Sequence, residues 1–143
     1  MTNYDDIFDV FRDKAREYEL YEVSEETAED ILRGWLKGAI SKFKHACASN
    51  LSDRDEDEKR FNCDLSEDEV DILAQCMVFM SLKPKLLNSD LFKDSLSTKD
   101  FTLHSPAKML DSISAVYKQC EQETNSMINK YSFDRNDVRR LRP

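Results

Sequence analysis

The sequence predicts an all-α domain: a helical bundle of four principal helices with a long acidic loop and an extended C-terminal tail. Three observations carry this prediction. The chain has 143 residues but only two glycines and three prolines, where average usage would give roughly ten and seven. An all-β domain needs both at its many turns. Apolar residues recur every three or four positions through several long stretches, the period of a helix with one buried face. Serine or proline stands ahead of the later stretches, where helices start. A chain of this length can bury a core without disulfides or a metal.

Residues 4–18 carry Tyr4, Ile7, Phe8, Phe11, Ala15 and Tyr18 at helical spacing, with Asp5 and Asp6 in the first turn, where the helix dipole favours anions. A link with Leu20, Tyr21 and Val23 follows. Ser24 is a good N-cap for a second helix of about 23 residues, whose stripe runs Ala28, Ile31, Leu32, Trp35, Leu36, Ala39, Ile40, Phe43 and Cys47. Gly34 and Gly38 stand four apart in its middle, each costing about 1 kcal/mol relative to alanine. Two readings are open for them: tolerated surface glycines, or a site where another helix or a neighbouring subunit comes close.

Residues 49–64, SNLSDRDEDEKRFNCD, are the one long polar run and read as an exposed loop. Leu65-Ser66-Glu67-Asp68-Glu69-Val70 is the strongest local signal. Ser66 caps, Glu69 at N3 reaches back to the Ser66 amide, and Leu65 with Val70 forms a hydrophobic staple. The helix that follows buries Val70, Leu73, Cys76 or Met77, and Met80. Pro84 lacks the donor N–H and clashes with the preceding turn, so it should end or kink this helix. A weaker helical turn covers Ser89 to Leu96. His104-Ser105-Pro106 starts the last helix, with serine as cap and proline at N1. Its stripe runs from Met109 to Tyr131, about 26 residues and ~39 Å long. The domain therefore spans residues 1–131, with its acidic loop at 49–65. A tail, SFDRNDVRRLRP, covers 132–143.

Charge is unevenly distributed. The net charge is −8, from 21 basic and 29 acidic residues. The tail's four arginines against two aspartates leave +2, so the other 131 residues carry −10. Phosphates repel such a body, which excludes nucleic-acid binding over the whole surface. No helix is distinctly basic, which argues against a helix-turn-helix reader. The tail interleaves Phe133, Val138 and Leu141 with Arg135, Arg139, Arg140 and Arg142, a mixture suited to a protein contact. A frayed terminus is the plainer reading.

The sequence offers little chemistry. Cys47, Cys63, Cys76 and Cys120 contain no CxxC pair, and three fall on apolar faces, as reduced structural thiols do. The N-terminus has neither a basic region nor an apolar run, and no window is apolar enough to span a membrane, so a cytoplasmic protein is expected, including a viral one made in a host. Asp53, Asp55, Asp57 and Asp64 match positions 1, 3, 5 and 12 of a calcium loop, but Glu58 stands where glycine makes the sharp turn. His45, Cys47 and Cys63 lack a fourth zinc ligand. Ser105 beside His104 is explained by its cap role. No Walker, Rossmann or nucleophile-elbow pattern occurs. The expectation is a protein that is not an enzyme, with no catalytic residues, cofactor or metal.

Taken together, LSEDEVDILAQCMVFMSLKPKLL, KDFTLHSPAKML and the terminal helix with its basic tail resemble the head–tail connectors, the adaptor or neck proteins of tailed bacteriophages. The likeness covers roughly residues 24–131. It implies a homo-oligomeric ring of subunits, usually twelve, in the virion neck, assembled in the host cytoplasm. Such a ring binds the portal protein on one side and a stopper or tail protein on the other, with double-stranded DNA passing through its channel and no membrane involved. It also implies that Tyr131 to Pro143 is the portal-docking segment, through Tyr131, Phe133, Arg135, Val138, Arg139, Arg140, Leu141 and Arg142. The loop residues Asp53, Asp55, Glu56, Asp57 and Glu58 become candidates for the lumen or lower rim, and Gly34 and Gly38 for subunit packing. The acidic body also fits a second reading: a small cytoplasmic regulator whose carboxylates stand in for DNA phosphates.

Overall fold

A computed structural model of the chain describes residues 1–18, 20, 27–96 and 106–140. Among these residues are four helices and three two-residue strands. In chain order they are β1 (Thr2–Asn3), α1 (Tyr4–Glu17), α2 (Glu29–Phe43), β2 (Arg54–Asp55), β3 (Arg60–Phe61), α3 (Glu67–Leu96) and α4 (Pro106–Arg140). The all-α class expected from periodicity is what forms.

Helix α3 is the central element, and α1, α2 and α4 each pack against it. This explains its burial. Residues 72–79 are buried without a break, Gln75 included, so α3 has no solvent face over two turns. The helical period predicts only one stripe of α3 in the core. Val70 and Met80, two members of that stripe, are only half-buried. A helix surrounded on three sides buries its whole circumference, and a 3.6-residue period does not reveal that. Tyr4, Ile7, Phe8, Phe11 and Ala15 of α1, and Leu32, Leu36, Ala39, Ile40 and Phe43 of α2, complete the core as their spacing predicts. Trp35 is half-buried with its ring 5.8 Å from that of Phe11, whereas Ile31, assigned to the same stripe, is exposed.

Several boundaries differ from expectation. Helix α2 has 15 residues rather than about 23, and Ala28 precedes it as N-cap. The proposed cap Ser24 lies outside the described residues. At its other end α2 stops at Phe43. The Cys47 amide still donates to the Phe43 carbonyl at 3.1 Å, but the chain then turns so that Cys47, Ala48 and Ser49 face Glu69 and Tyr131. Cys47 is buried, as its place in the stripe implied, but it lies in a loop.

Pro84 does not end α3, which continues to Leu96 and absorbs the separate turn expected at Ser89–Leu96. Proline removes one bond, the amide that would reach the Met80 carbonyl, and the packing of α3 outweighs that local loss. Helix α4 opens with Pro106 at its first position, as read, while His104 and Ser105 fall outside the described residues. It has 35 residues, so the segment expected as an extended tail is helical as far as Arg140.

The largest correction concerns the polar run. It is a small hairpin, not a plain loop. Strands β2 and β3 pair antiparallel, Arg54 with Phe61 and Asp55 with Arg60, and β1 adds on the other side with Thr2 opposite Phe61. The sheet order is β1-β3-β2. Asp55 accepts hydrogen bonds from the amides of Asp57 and Glu58 at 3.0 and 3.1 Å, and Lys59 takes a left-handed conformation with φ of 56° to close the turn. Leu51 and Phe61 are fully buried beneath it. Strands of two residues show no alternation to read, and their third partner comes from the chain's first three residues.

The two glycines take different roles. A side chain at Gly34 would meet nothing within 4 Å, whereas one at Gly38 would lie 3.0 Å from the Met80 sulfur. Gly38 is therefore the close approach between helices, and Gly34 faces open space. Gly34→Ala should stabilise the chain by about 0.5–1 kcal/mol, since it removes backbone entropy from an exposed helix interior. That gain corresponds to a rise of about 3 °C in Tm by calorimetry. Gly38→Ala should gain less, because Met80 must move.

Candidate functional site

Two surfaces stand out in the sequence, the C-terminal segment and the acidic run. The structure organises each around a buried or half-buried carboxylate.

The C-terminal segment is held by Glu69. The capping box forms as read: the Ser66 amide donates to Glu69 Oε1 at 2.9 Å, and the Glu69 amide donates to Ser66 Oγ at 3.2 Å. The same carboxylate does more. It accepts from Cys47 Sγ at 3.0 Å, Ser49 Oγ at 3.0 Å and Tyr131 Oη at 2.9 Å. Glu69 is 4% exposed. Burial alone would push its carboxyl up, but the donors Cys47, the Ser66 amide, Tyr131 and Ser49 together pull it down to about 2. Tyr131 also accepts from the Ala48 amide at 2.8 Å and stacks edge-on against Phe43. One turn further on, Arg135 Nη1 donates to the Ala46 carbonyl at 2.9 Å. The i, i+4 pair Tyr131 and Arg135 thus fastens the end of α4 onto the loop after α2.

Two of the residues assigned to portal docking are therefore engaged within the chain. Phe133 is different. It is 63% exposed, two residues from Tyr131 and thus ~200° round the helix, pointing away from the body. Val138, Arg139 and Arg140 lie on the last turns of α4, while Leu141 and Arg142 fall outside the described residues.

The acidic hairpin is not a uniform patch. Glu56 is fixed by Arg54 Nε at 2.7 Å, Arg33 Nη2 at 2.8 Å and Tyr4 Oη at 3.2 Å. Hydrogen bonds from Arg54 and then Arg33 hold its carboxyl down at about 2. Burial, and then the Glu56 carboxylate to which it donates, raises the Tyr4 hydroxyl to about 12. Asp53 accepts from the Asn62 side chain at 3.0 Å, and Asp55 closes the turn. Asp57 and Glu58 remain exposed. Of the five carboxylates from Asp53 to Glu58, these two stand at the tip.

A third feature was not anticipated. A groove of about 610 Å³ runs between the starts of α1 and α3, with Val10, Leu65 and Val70 in its walls and Asp6, Glu67 and Asp68 at its margin. The sequence signals for it were read as first-turn carboxylates and a hydrophobic staple. Only the convergence of two helix starts, tied by the Leu65 amide donating to Thr2 Oγ1 at 2.9 Å, makes them one surface.

Three of the four free cysteines, Cys47, Cys76 and Cys120, are buried, and Cys63 is half-buried. Burial pushes Cys47 and Cys76 up to about 12 and raises Cys120. Thiolate is the reactive form. A thiol reagent at pH 8 should therefore modify Cys63 quickly and the other three only on unfolding; rapid reaction of two or more thiols in the native protein would contradict the packing.

Among the described residues no three His, Cys, Asp or Glu side chains are grouped to hold a metal ion. No described helix is long and apolar enough to cross a membrane. What the fold and surfaces define is a small all-α protein with an acidic body, a C-terminal segment of net charge +2 and an exposed Phe133 near the end of its last helix. The chain belongs to the YomZ prophage protein family, matching it over residues 1–132, so its origin is phage. No curated protein and no solved structure matches the chain.

Proposed function

We propose that the protein is a structural subunit of a phage neck, one copy in a ring between portal and tail through which double-stranded DNA passes. The observation that carries this reading is the end of α4. One face is fastened to the body through Tyr131 and Arg135, the other presents Phe133, and the segment supplies +2 against a body of −10. A helix end that is anchored, basic and apolar at its outer face is preorganised for a protein contact. Prophage origin supports looking for the partner among phage components. In this reading Asp57 and Glu58 at the hairpin tip, with Asp53 and Asp55 behind them, face the lumen, where like charge keeps duplex DNA from adhering. Glu56 is neutralised by its two arginines and contributes to folding instead.

The experiment is virion analysis after prophage induction. Mass spectrometry and antibody-labelled electron microscopy should place the protein in purified particles, at the neck. Mixing it with the portal protein should yield a complex of ring mass. A protein absent from virions, indifferent to portal and competing with DNA for a basic host protein would overturn the neck reading in favour of an acidic regulator.

A further inference from the structure

We propose that the end of α4, led by Phe133, docks into the groove between α1 and α3 of a second copy of this chain. The inference rests on the protein being an assembly subunit, and names the contact.

Complementarity carries it. Asp6, Glu67 and Asp68 have no ion-pair partner among the described residues, while Asp71 beside them pairs with Lys14 at 2.9 Å. Val10, Leu65 and Val70 are half-buried and offer apolar wall between the carboxylates. The segment rich enough in arginine to match these charges is the chain's own end, which carries Arg139, Arg140 and Arg142 after Phe133 in the sequence. Among the described residues the exposed large hydrophobics are Met1, Ile31 and Phe133. Phe133 leads one surface, and Met1, next to Thr2 in the groove wall, flanks the other.

A copy cannot fill its own groove this way. Tyr131 is bound to Glu69, and Phe133 lies on the opposite side of the same helix. Helix α4 runs nine residues beyond Tyr131 to Arg140, ~14 Å of rod. Electrostatics favours the same pairing. Two bodies of −10 repel, and self-association is relieved of that repulsion when each contact pairs a basic end with an acidic groove. Repeated head to tail, end-to-groove contact is heterologous, and it forms a ring where the rotation between copies closes.

The test is a charge exchange read by mass photometry and sedimentation. The wild-type chain should assemble, less so as salt rises. Glu67→Arg with Asp68→Arg should abolish assembly, as should Arg139→Glu with Arg140→Glu. An equal mixture of the two variants should assemble again, because each restores the other's complement. Phe133→Ala, at an exposed position that cannot unfold the chain, should raise the half-assembly concentration by about tenfold or more. Helicity should be unchanged throughout. Wild-type assembly that ignores both the groove reversal and Phe133→Ala would overturn the proposal. So would a wild-type monomer whose portal binding is lost on Phe133→Ala, since the portal would then be the occupant and the neck reading would stand. Rescue by mixing in a protein absent from virions would uphold the contact and fail the neck reading.

Discussion

Glu69→Ala should lower Tm by about 10 °C, the largest effect expected of any single polar substitution among the described residues. The change removes the N3 half of the capping box, worth about 1 kcal/mol. It also leaves the Tyr131 hydroxyl, the Ser49 hydroxyl and the Ser66 amide without their acceptor. A fully buried donor left unpaired costs about 1–3 kcal/mol; these three are part-buried and water reaches them in part, so a total of about 3–4 kcal/mol is expected. The signature should be local as well as global: hydrogen exchange should quicken at the Ala48 amide, which is bonded to Tyr131.

The same residue sets a pH dependence. Its carboxyl lies at about 2 in the folded chain, below the ordinary carboxylate value, because four neighbours donate to the charged form. A depressed folded value means that the unfolded chain takes up the proton first. The stabilisation is therefore complete above the ordinary range and is lost as pH falls from about 5 towards 2, about 3 kcal/mol in all. Glu56 and Glu123 are lowered too, so the wild-type curve carries several contributions. The difference between wild type and Glu69→Gln isolates this one: it should be large at pH 7 and should shrink through that window. A gap that stays constant from pH 7 to pH 2.5 would mean that Glu69 acts by shape alone.

Phe61→Ala should destabilise by about 3–5 kcal/mol, the range for a buried aromatic truncated in a packed core. Phe61 is fully buried and sits edge-on to Tyr4, with ring centres 5.3 Å apart. It also stands in the middle strand, opposite Thr2 on one side and Arg54 on the other. The loss should therefore release both the hairpin and the N-terminus. Limited proteolysis should find new cuts between residues 53 and 62, and exchange should quicken at the Tyr4 amide, which is bonded to the Lys59 carbonyl at 2.9 Å. Phe61→Leu keeps most of the volume and should cost less than about 1.5 kcal/mol. If Phe61→Ala left Tm unchanged, the sheet would be decoration on the helices and not part of the core.

Local signals were legible where one segment contains both partners. The box of Ser66 and Glu69 needs four consecutive residues, and the stripe of α1 needs fourteen, so both read correctly. Pro84 is a local signal that packing overrode. The groove between α1 and α3 and the network around Glu69 combine residues more than sixty positions apart, such as Thr2 with Leu65 and Glu69 with Tyr131. Each participant had a sufficient local explanation as a cap, a staple or a stripe member, and nothing local signalled a second role.

By itself the sequence determined the helical class, the cap of α3, the buried cysteines and the split between an acidic body and a basic end. These follow from period, from residue type and from counting charge, which need no partner at a distance. The tertiary structure alone decided that Glu69 is the buried acceptor for three segments, that Glu56 is neutralised, that Gly38 and not Gly34 meets a neighbouring helix, and that Phe133 faces outward while Tyr131 and Arg135 face in. Each of these depends on which groups the fold brings within hydrogen-bonding or contact distance, and on which side of a helix the rest of the chain lies.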